Sequence, residues 1–182
     1  MKVIGVVGLP ASGKGEFSKI AAQRGIPVVI MGDMIRNAVH NEGIEPTDAN
    51  LGAMANKLRA SRGMDAIAQL CVPEIQRRTS PIVLVDGIRG DAEVTLFRRV
   101  FPGFILISID SSFETRLARI RVRGRSDDLS SADELHARDK RELSWGLGNA
   151  LNDADVHLSN EGTLADFGSV VNAFFDTVEH NP

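Results

Sequence analysis

Three features that the sequence lacks limit the class of protein to which it can belong. No apolar run approaches the roughly 20 residues that a membrane-spanning helix needs, since the longest runs, such as 104–109, are far shorter. The only cysteine, Cys71, excludes an internal disulfide and lies in an apolar helical stretch, which predicts an inert core thiol in a reducing compartment. Residues 1–8 carry one lysine and two glycines but no small-residue cleavage site, so a buried first strand and a cytoplasmic location are expected.

The chain also lacks the excess of positive charge that nucleic-acid-binding proteins usually carry. Its net charge is −3 and its isoelectric point is about 5.8, which argues against nucleic acid as a partner. Among the basic residues, however, 16 are arginine and only 5 are lysine. Because arginine grips phosphate through two hydrogen bonds, this bias favours an enzyme that handles phosphates.

Apolar runs alternate with helical patterns along the whole chain, without repeats, low-complexity tracts or a linker, which predicts one domain over residues 1–182. The apolar runs are continuous, and this is typical of parallel strands covered on both faces. The predicted strands are Val3–Val7, Val28–Ile30, Ile82–Asp86, Phe104–Ile109 and Val156–Leu158. The expected fold is therefore an α/β three-layer sandwich, in which helices cover both faces of a five-stranded parallel sheet.

Helix signals fall between these strands. Asp33 is a candidate N-cap for a helix of about two turns, and residues 47–78 show two further helical pieces. Other helices are predicted over 13–24, 91–101 and from about Thr163 onward. The apolar face of the last helix is predicted to contain Leu164, Phe167, Val170, Phe174 and Val178.

Two capping boxes predict helix starts on either side of a polar segment, at 124–130. Ser111 pairs with Glu114 in the first, and Ser131 pairs with Glu134 in the second.

A phosphate-binding motif follows the first strand. Gly8 opens a G-x-x-x-x-G-K sequence that ends at Lys14, at the start of an amphipathic helix. Glycine permits the positive φ angles that turn successive N–H groups toward one anion, and the helix N-terminus and the lysine add positive charge. This layout predicts a bound nucleoside triphosphate, ATP. The candidate contacts are Gly8, Leu9, Pro10, Ala11, Ser12, Gly13, Lys14, Gly15 and Glu16.

The residues after Lys14 depart from the common form of this motif. Gly15 replaces the serine or threonine whose hydroxyl usually binds Mg²⁺, which disfavours a GTPase or most ATPases. Glu16 would repel a triphosphate and is expected to point aside. Asp86, at the end of a core strand, is the candidate carboxylate for Mg²⁺, with an N-cap or turn role as the alternative.

Five arginines crowd the helix before the polar segment. Because like charges at i, i+4 destabilise a helix, so dense a cluster favours an anionic partner, with a solvated face as the alternative. At 100° per residue, the first, second and fourth of them share one flank. The five are Arg116, Arg119, Arg121, Arg123 and Arg125.

The phosphate loop resembles that of adenylate kinases, G-x-P-G-x-G-K-G-T, in which proline is third and glycine follows the lysine. Almost the whole chain is similar to the nucleoside-monophosphate-kinase group of P-loop proteins, and in particular to a poorly characterised, mainly archaeal family related to adenylate kinase and dephospho-CoA kinase. The resemblance implies an acceptor-side helical insert at about 33–78 and a short lid at about 121–131.

Two segments resemble the acceptor site of those kinases. Residues 31–36 resemble T-G-D-[ML]-[LI]-R, which implies acceptor-phosphate binding by Arg36 and a ligand or capping role for Asp33. Residues 85–89 resemble D-G-[FY]-P-R without its proline, which implies a second acceptor-phosphate contact at Arg89.

The lid segment resembles the arginine-rich lid of the same group. Arg123 resembles a lid arginine, Arg125 the start of R-x-D-D, and Arg138 a further phosphate-contacting arginine, so all three are candidate catalytic residues. Arg119 is a candidate contact to the donor nucleotide. The turn at 160–163 resembles an N-x-G-[ST] turn near the donor base, with an ordinary strand-to-helix turn as the alternative.

These features predict an ATP- and Mg²⁺-dependent kinase in which Lys14 acts on the transferring phosphoryl group and the acceptor is a nucleotide or nucleotide-like small molecule. Positioning and charge dominate such reactions, so no covalent or acid–base residue is required. Two alternatives stay open. One is transfer to a hydroxyl, as in dephospho-CoA kinase, and the other is a nucleotide-dependent regulator or RNA-associated protein that hydrolyses ATP slowly.

Overall fold

The first strand lies at the centre of the sheet. In the computed structural model, which describes residues 1–123 and 131–180, β1 (Lys2–Val7) pairs with β3 (Ile82–Asp86) on one side and with β4 (Ile105–Asp110) on the other. β2 (Val28–Ile30) pairs with β3, and β5 (Val156–Ser159) pairs with β4. The order is β2-β3-β1-β4-β5 and all of these pairings are parallel, so the predicted five-stranded parallel sheet is confirmed.

Helices connect the strands and cover both faces of the sheet. They are α1 (Lys14–Gln23), α2 (Met31–Asn41), α3 (Asp48–Arg62), α4 (Ala66–Gln76), α5 (Asp91–Val100), α6 (Phe113–Arg123), α7 (Ala132–Leu143), α8 (Leu147–Asn152) and α9 (Leu164–His180). Within residues 1–123 and 131–180, no helix is long and apolar enough to cross a bilayer.

Alternate residues of β1, β2, β3 and β4 pack into two separate cores, whereas β5 contributes only to the core that contains Ile4. Ile4 of β1 packs with Phe17 of α1 and Phe175 of α9, whose ring centres lie 5.0 Å apart. Val3 points to the opposite face, where it packs in the core that contains Phe97 of α5. Because successive side chains of a strand point to opposite faces, one apolar strand supplies both cores. The predicted three-layer arrangement is therefore confirmed.

The start of α2 differs from the prediction. The helix begins at Met31, directly after β2, with Ile30 as its N-cap, so Asp33 lies in the first turn and is not the cap. The helix has 11 residues, about three turns rather than two. Aspartate is favoured both at the N-cap and in the first turn, where it interacts with the helix dipole. The sequence pattern therefore did not distinguish the two positions.

The start of α6 also differs from the prediction, whereas the start of α7 agrees with it. The hydroxyl of Ser112 accepts a hydrogen bond from the amide of Thr115 at 3.3 Å, so the predicted box of Ser111 with Glu114 is wrong. The hydroxyl of Ser111 donates instead to two backbone carbonyls outside the helix. The box of Ser131 with Glu134 is confirmed.

The buried face of α9 is rotated from the predicted one. Leu164 is 64% exposed and Val170 is 41% exposed, whereas Val171 and Phe175 are fully buried. Phe167 and Val178 are buried as expected.

Cys71 lies buried in α4 and has no disulfide partner. Burial raises the pKa of its thiol to about 12, so it stays protonated as a small core side chain.

Candidate functional site

The segment between β1 and α1 forms a tight loop at the carboxyl edge of the sheet. Gly13 has a φ of 117° and is the N-cap of α1, and Ala11 has a φ of 61°. The amide of Ser12 donates to the carbonyl of Leu9 at 3.1 Å and closes the turn. Since the first amides of a helix have no acceptor within it, the start of α1 presents N–H groups and positive potential at this edge.

Asn160, in the turn between β5 and α9, holds the outer side of this loop. Its Nδ2 donates to the carbonyl of Ser12 at 2.8 Å, and the hydroxyl of Ser111 donates to the same carbonyl at 3.2 Å. Asn160 is 5% exposed, and a Cβ at Gly13 would lie 2.2 Å from its Nδ2. Glycine is therefore required at this position for the turn to support the loop.

Two arginines of α6 contact the loop from the same side. Arg116 is 3% exposed, pairs with both carboxylate oxygens of Asp139 at 2.7 and 2.9 Å, and donates to the carbonyl of Pro10 at 3.1 Å. Arg119 donates to the backbone and side-chain oxygens of Asn160 at 2.8 and 3.0 Å. The arginine cluster is thus partly structural, because Arg116 is neutralised within the protein. A donor-nucleotide contact for Arg119 stays a prediction.

The structure covers the candidate lid only in part. Arg123 is the last residue of α6, and its side chain lies outside the part of the chain that the structure describes, as does the whole of Arg125. Their catalytic roles, and the lid at about 121–131, stay predictions.

Lys14 is folded back onto its own loop. Its Nζ donates to the carbonyl of Leu9 at 3.1 Å and also to the carbonyl of Gly8. Loss of water around the amine, and then the positive charge of Arg89, lower the pKa of Lys14 from 10.5 to about 8, although the carboxylate of Glu142 opposes the shift. Near pH 8 the amine is therefore only partly protonated, and a bound anion would raise its pKa.

We expect ATP binding at pH 8 to be accompanied by proton uptake at Lys14. With a pKa of about 8, roughly half of these amines are neutral at that pH, and a bound triphosphate raises the pKa. Calorimetry in buffers of different ionisation enthalpy should show an uptake approaching about half a proton per ATP. Lys14→Arg, whose guanidinium stays charged, should bind ATP without this uptake, and Lys19→Ala, on the same helix, should keep the uptake. Uptake that persists in Lys14→Arg would contradict the assignment.

Asp86 ends β3 beside the loop and fits the role of an Mg²⁺ ligand. The hydroxyl of Ser18, one turn into α1, donates to Oδ2 of Asp86 at 2.7 Å. Carboxylate and hydroxyl oxygens are hard ligands, and Mg²⁺ in phosphate sites keeps several waters and uses few protein groups. In residues 1–123 and 131–180 no group of three or more His, Cys, Asp or Glu could hold a metal ion. The candidate Mg²⁺ site therefore depends on Asp86 and Ser18.

The two unusual residues after Lys14 leave the loop unobstructed. A Cβ at Gly15 would meet no atom within 4 Å. The side chain of Glu16 is 42% exposed, and its carboxylate lies 3.7 Å from Nζ of Lys19 along the helix. Its charge is therefore partly compensated by that lysine, and a direct role of Glu16 toward ATP stays a prediction.

A cleft of about 130 Å³ lies between α2, α3 and α7, and so adjoins the predicted insert at 33–78. Arg36, Arg89 and Arg138, all candidates from the sequence, line it. Arg36 is more than half exposed and pairs with Asp33 at 2.5 Å. The apolar part of the wall is formed by Met31, Ile35, Leu51, Ala55, Ile67 and Trp145.

Arg89 and Arg138 meet at Glu142 of α7, which is 2% exposed. The guanidinium of Arg89 forms an ion pair with Glu142, and Nε of Arg138 donates to Oε1 of Glu142 at 3.2 Å. Burial alone would raise the pKa of Glu142, but the charges of Arg89, Lys14 and Arg138 together lower it, so the carboxylate is ionised. The loop and the cleft are therefore joined electrostatically at these side chains.

Sequence reasoning missed a second buried ion pair in the cleft. Arg59 of α3 pairs with Glu93 of α5 at 3.1 Å, and its guanidinium lies 4.3 Å from the centre of the Trp145 ring. Glu93 also accepts the amide of Arg89 at 2.7 Å. One local signal existed: Arg59 follows the buried Ala55 by four residues, and a charged residue on a buried helical face requires a partner.

Comparison with known proteins places these features in a family. Residues 4–142 match the family described as an AAA domain (AAA_18). A UPF0200 protein of Methanoregula boonei is 63% identical over 182 residues, covering 100% of both chains. A UPF0200 protein of Methanosarcina acetivorans is 53% identical over 173 residues, covering 94% of this chain and 92% of that protein. A UPF0200/UPF0201 protein of Archaeoglobus fulgidus is 48% identical over 170 residues, covering 92% and 53%.

Solved structures share the fold at low sequence identity. A shikimate kinase from Bacteroides thetaiotaomicron superposes with a TM-score of 0.65 at 13% identity, covering 97% of this chain and 98% of that one. A gluconokinase from Sinorhizobium meliloti superposes with a TM-score of 0.60 at 18% identity, covering 99% and 94%. At this level of identity the likeness shows the fold.

Proposed function

This chain belongs to the UPF0200 family of P-loop, kinase-like AAA domains, and from that premise we propose that it is an ATP-dependent phosphotransferase whose acceptor is a nucleotide or nucleotide-like phosphate. The membership confirms the resemblance to an archaeal family with a P-loop kinase-like domain. One observation carries the proposal: Arg89 and Arg138, which line the cleft, lie close enough to Lys14 of the phosphate loop for their charges to lower its pKa.

The proposed division of roles follows that geometry. The amides at the start of α1 and Lys14 bind the donor triphosphate, and Arg36 and Arg89 bind the acceptor phosphate. Arg138, together with Arg123 and Arg125 from the lid, neutralises charge on the transferring group. Positioning and charge stabilisation of this kind supply most of the catalysis in phosphoryl transfer.

The proposed metal is Mg²⁺, held by Asp86 with the nearby hydroxyl of Ser18. When bound, Mg²⁺ neutralises part of the charge on the donor phosphates. Asp86 and Ser18 supply the side-chain oxygens for Mg²⁺ that Gly15 lacks.

A phosphate acceptor is favoured over a hydroxyl acceptor by the state of the acids in the cleft. A hydroxyl acceptor usually needs a carboxylate that is free to accept its proton. Among the described lining residues, Asp48 pairs with Arg141 at 3.0 Å, and Glu93 and Glu142 are ion-paired as described above. The two buried acids, Glu93 and Glu142, are held in their ion pairs and are not free to act as a base, and the charge of Asp48 is compensated by Arg141, so transfer of the dephospho-CoA-kinase type is the weaker alternative.

The compartment that we propose is the cytoplasm, because the one cysteine is a free thiol.

The central test is to incubate the protein with Mg-ATP and a panel of nucleoside monophosphates and dephospho-CoA, and to measure ADP. The proposal predicts ADP formation that depends on a phosphate acceptor. Slow ADP release without any acceptor would instead support the regulatory ATPase, which the absence of a side-chain oxygen at Gly15 leaves as the second candidate. ADP formation only with dephospho-CoA would support hydroxyl transfer.

Arg89→Gln should separate acceptor binding from donor binding. Loss of a charge-assisted hydrogen bond to a phosphate costs up to about 3 kcal/mol, so kcat/KM for the acceptor should fall by about a hundredfold. The KM for ATP should change by less than about threefold, since the loop amides remain. Arg77→Gln, which removes an exposed arginine paired with Glu74 on α4, is the matched control. Equal losses for acceptor and ATP would count against the assigned role.

A further inference from the structure

A buried carboxylate lies where the phosphate-handling cations meet. Glu142 is 2% exposed and pairs with the side chains of both Arg89 and Arg138. It comes from α7, whereas Arg89 follows β3 and Lys14 opens α1, so three separate parts of the chain bring their charges to this point. The carboxylate of Glu142 thus supplies the negative charge that a bound phosphate would otherwise supply to these cations.

We propose that Glu142 is a positioning residue that holds Arg89 and Arg138 in place of the acceptor phosphate, and that a dianionic phosphate monoester displaces it on binding. The inference rests on the proposed function, because it concerns the acceptor side of the same site.

The chemistry of the guanidinium group supports this exchange. Arginine has donors only, and its planar fork fits a carboxylate and a phosphate equally well in geometry. Without an anion, the partly buried side chains of Arg89 and Arg138 would repel one another and lose order. Glu142 keeps them in place, so the acceptor does not have to order two long side chains on binding.

The displacement of Glu142 would also make the site selective for the charge of its ligand. A carboxylate carries one negative charge, whereas a phosphate monoester carries nearly two at pH 8. A dianion can therefore replace Glu142 with a net gain in attraction, but a monoanionic phosphodiester or a neutral hydroxyl cannot. The predicted substrate class is a terminal phosphate monoester.

Glu93 shows how a structural acid in the same cleft differs. It pairs with Arg59 and accepts the backbone amide of Arg89, so it fixes main chain as well as side chain. The ion pairs that Glu142 makes with the described residues instead join it to two candidate phosphate-binding side chains. A carboxylate that substrate displaces should pair with phosphate-binding side chains and should not hold the main chain, and Glu142 meets this condition better than Glu93.

Glu142→Gln provides the test, with inorganic phosphate as the probe and calorimetry as the measurement. The protein is first saturated with a non-hydrolysable Mg-ATP analogue, so that the position of the γ-phosphate is also filled and only the acceptor side can take up phosphate. We expect phosphate to bind about tenfold more tightly to Glu142→Gln than to the unmodified protein, since the freed arginines gain charge-assisted hydrogen bonds. The double variant Arg89→Gln/Glu142→Gln should lose this gain.

Asp48→Asn is the matched control, because it removes the same charge from the same cleft but frees Arg141 instead. Its phosphate affinity should stay within about twofold of the unmodified protein, as exposed pairs contribute little. Unchanged or weaker phosphate binding in Glu142→Gln would overturn the proposal, and so would an equal gain in Asp48→Asn. The readout is independent of turnover, so a protein without kinase activity could still pass this test.

A measurement on the unmodified protein covers the case in which Glu142→Gln does not fold. At pH 8, phosphate should bind at least about tenfold more tightly than monoanionic dimethyl phosphate. Equal affinities would contradict displacement of Glu142 by a dianion.

Discussion

Lys14→Ala is expected to abolish the thermal stabilisation that ATP gives to this protein. A ligand at about 100 times its Kd stabilises the native state by about 2.7 kcal/mol, which for a chain of this size raises Tm by roughly 5–10 °C. Nζ of Lys14 already lies against the loop carbonyls and is placed to reach the phosphates, so its removal takes away the main side-chain cation of the cradle. Differential scanning fluorimetry with and without Mg-ATP measures the shift.

Lys19→Ala is the matched control for this variant. Lys19 lies on the same helix, is largely exposed and pairs only with Glu16 among the described contacts. It should keep the full ATP-dependent shift. A Lys14→Ala protein that is stabilised by ATP as strongly as the control would refute the role of Lys14.

Gly13→Ala is expected to destabilise the folded protein and to prevent ATP binding. A φ of 117° strains any residue with a Cβ, and the added carbon would lie 2.2 Å from the buried Nδ2 of Asn160. Asn160 cannot retreat without breaking its hydrogen bond to Ser12. Backbone strain and overpacking together cost roughly 2–4 kcal/mol, which urea denaturation would measure, and the displaced loop should show no ATP binding in calorimetry.

Gly15→Ala separates this effect from a general intolerance of alanine in the loop. Its Cβ would enter open space, and its φ is not positive. Alanine within a helix is favoured over glycine by about 0.5–1 kcal/mol, so Gly15→Ala should be as stable as the unmodified protein or slightly more stable. Similar destabilisation in both variants would show that the contact with Asn160 is not the cause.

The loop could be located from the sequence because its determinants are local. A buried strand, two glycines and a lysine lie within a dozen residues, and their spacing alone fixes the backbone that is needed. The same holds for the strands, since each is a continuous apolar run. The carboxyl end of β3 was also predictable, because parallel strands end at one edge and bring Asp86 to the loop.

The charge partners around the loop could not be predicted in this way. Arg116 was assigned to an arginine flank facing an anion, yet its partner is Asp139, on the next helix along the chain. Arg59 and Glu93 are 34 positions apart in the sequence, and Glu142 and Arg89 come from α7 and from the segment after β3. Such pairs depend on how helices pack, which no local pattern in one sequence specifies.

The buried face of α9 shows a different limit. The sequence offers two adjacent pairs, Val170 with Val171 and Phe174 with Phe175, and either member of each pair fits helical spacing. Contact with Phe17 of α1 selects Phe175, at 5.0 Å between ring centres, and Phe174 packs only partly buried against the same core. A rotation by one residue was enough to expose Val170.

The central position of β1 in the sheet has a consequence for folding during translation. β1 is made first, but its neighbours β3 and β4 begin only at Ile82 and Ile105. At a translation rate of about 5–20 residues per second, neither partner strand of β1 exists for several seconds after β1 is synthesised. A nascent segment of this kind is prone to stick to other chains. We therefore expect a chaperone that covers this strand during translation to reduce aggregation of the nascent chain.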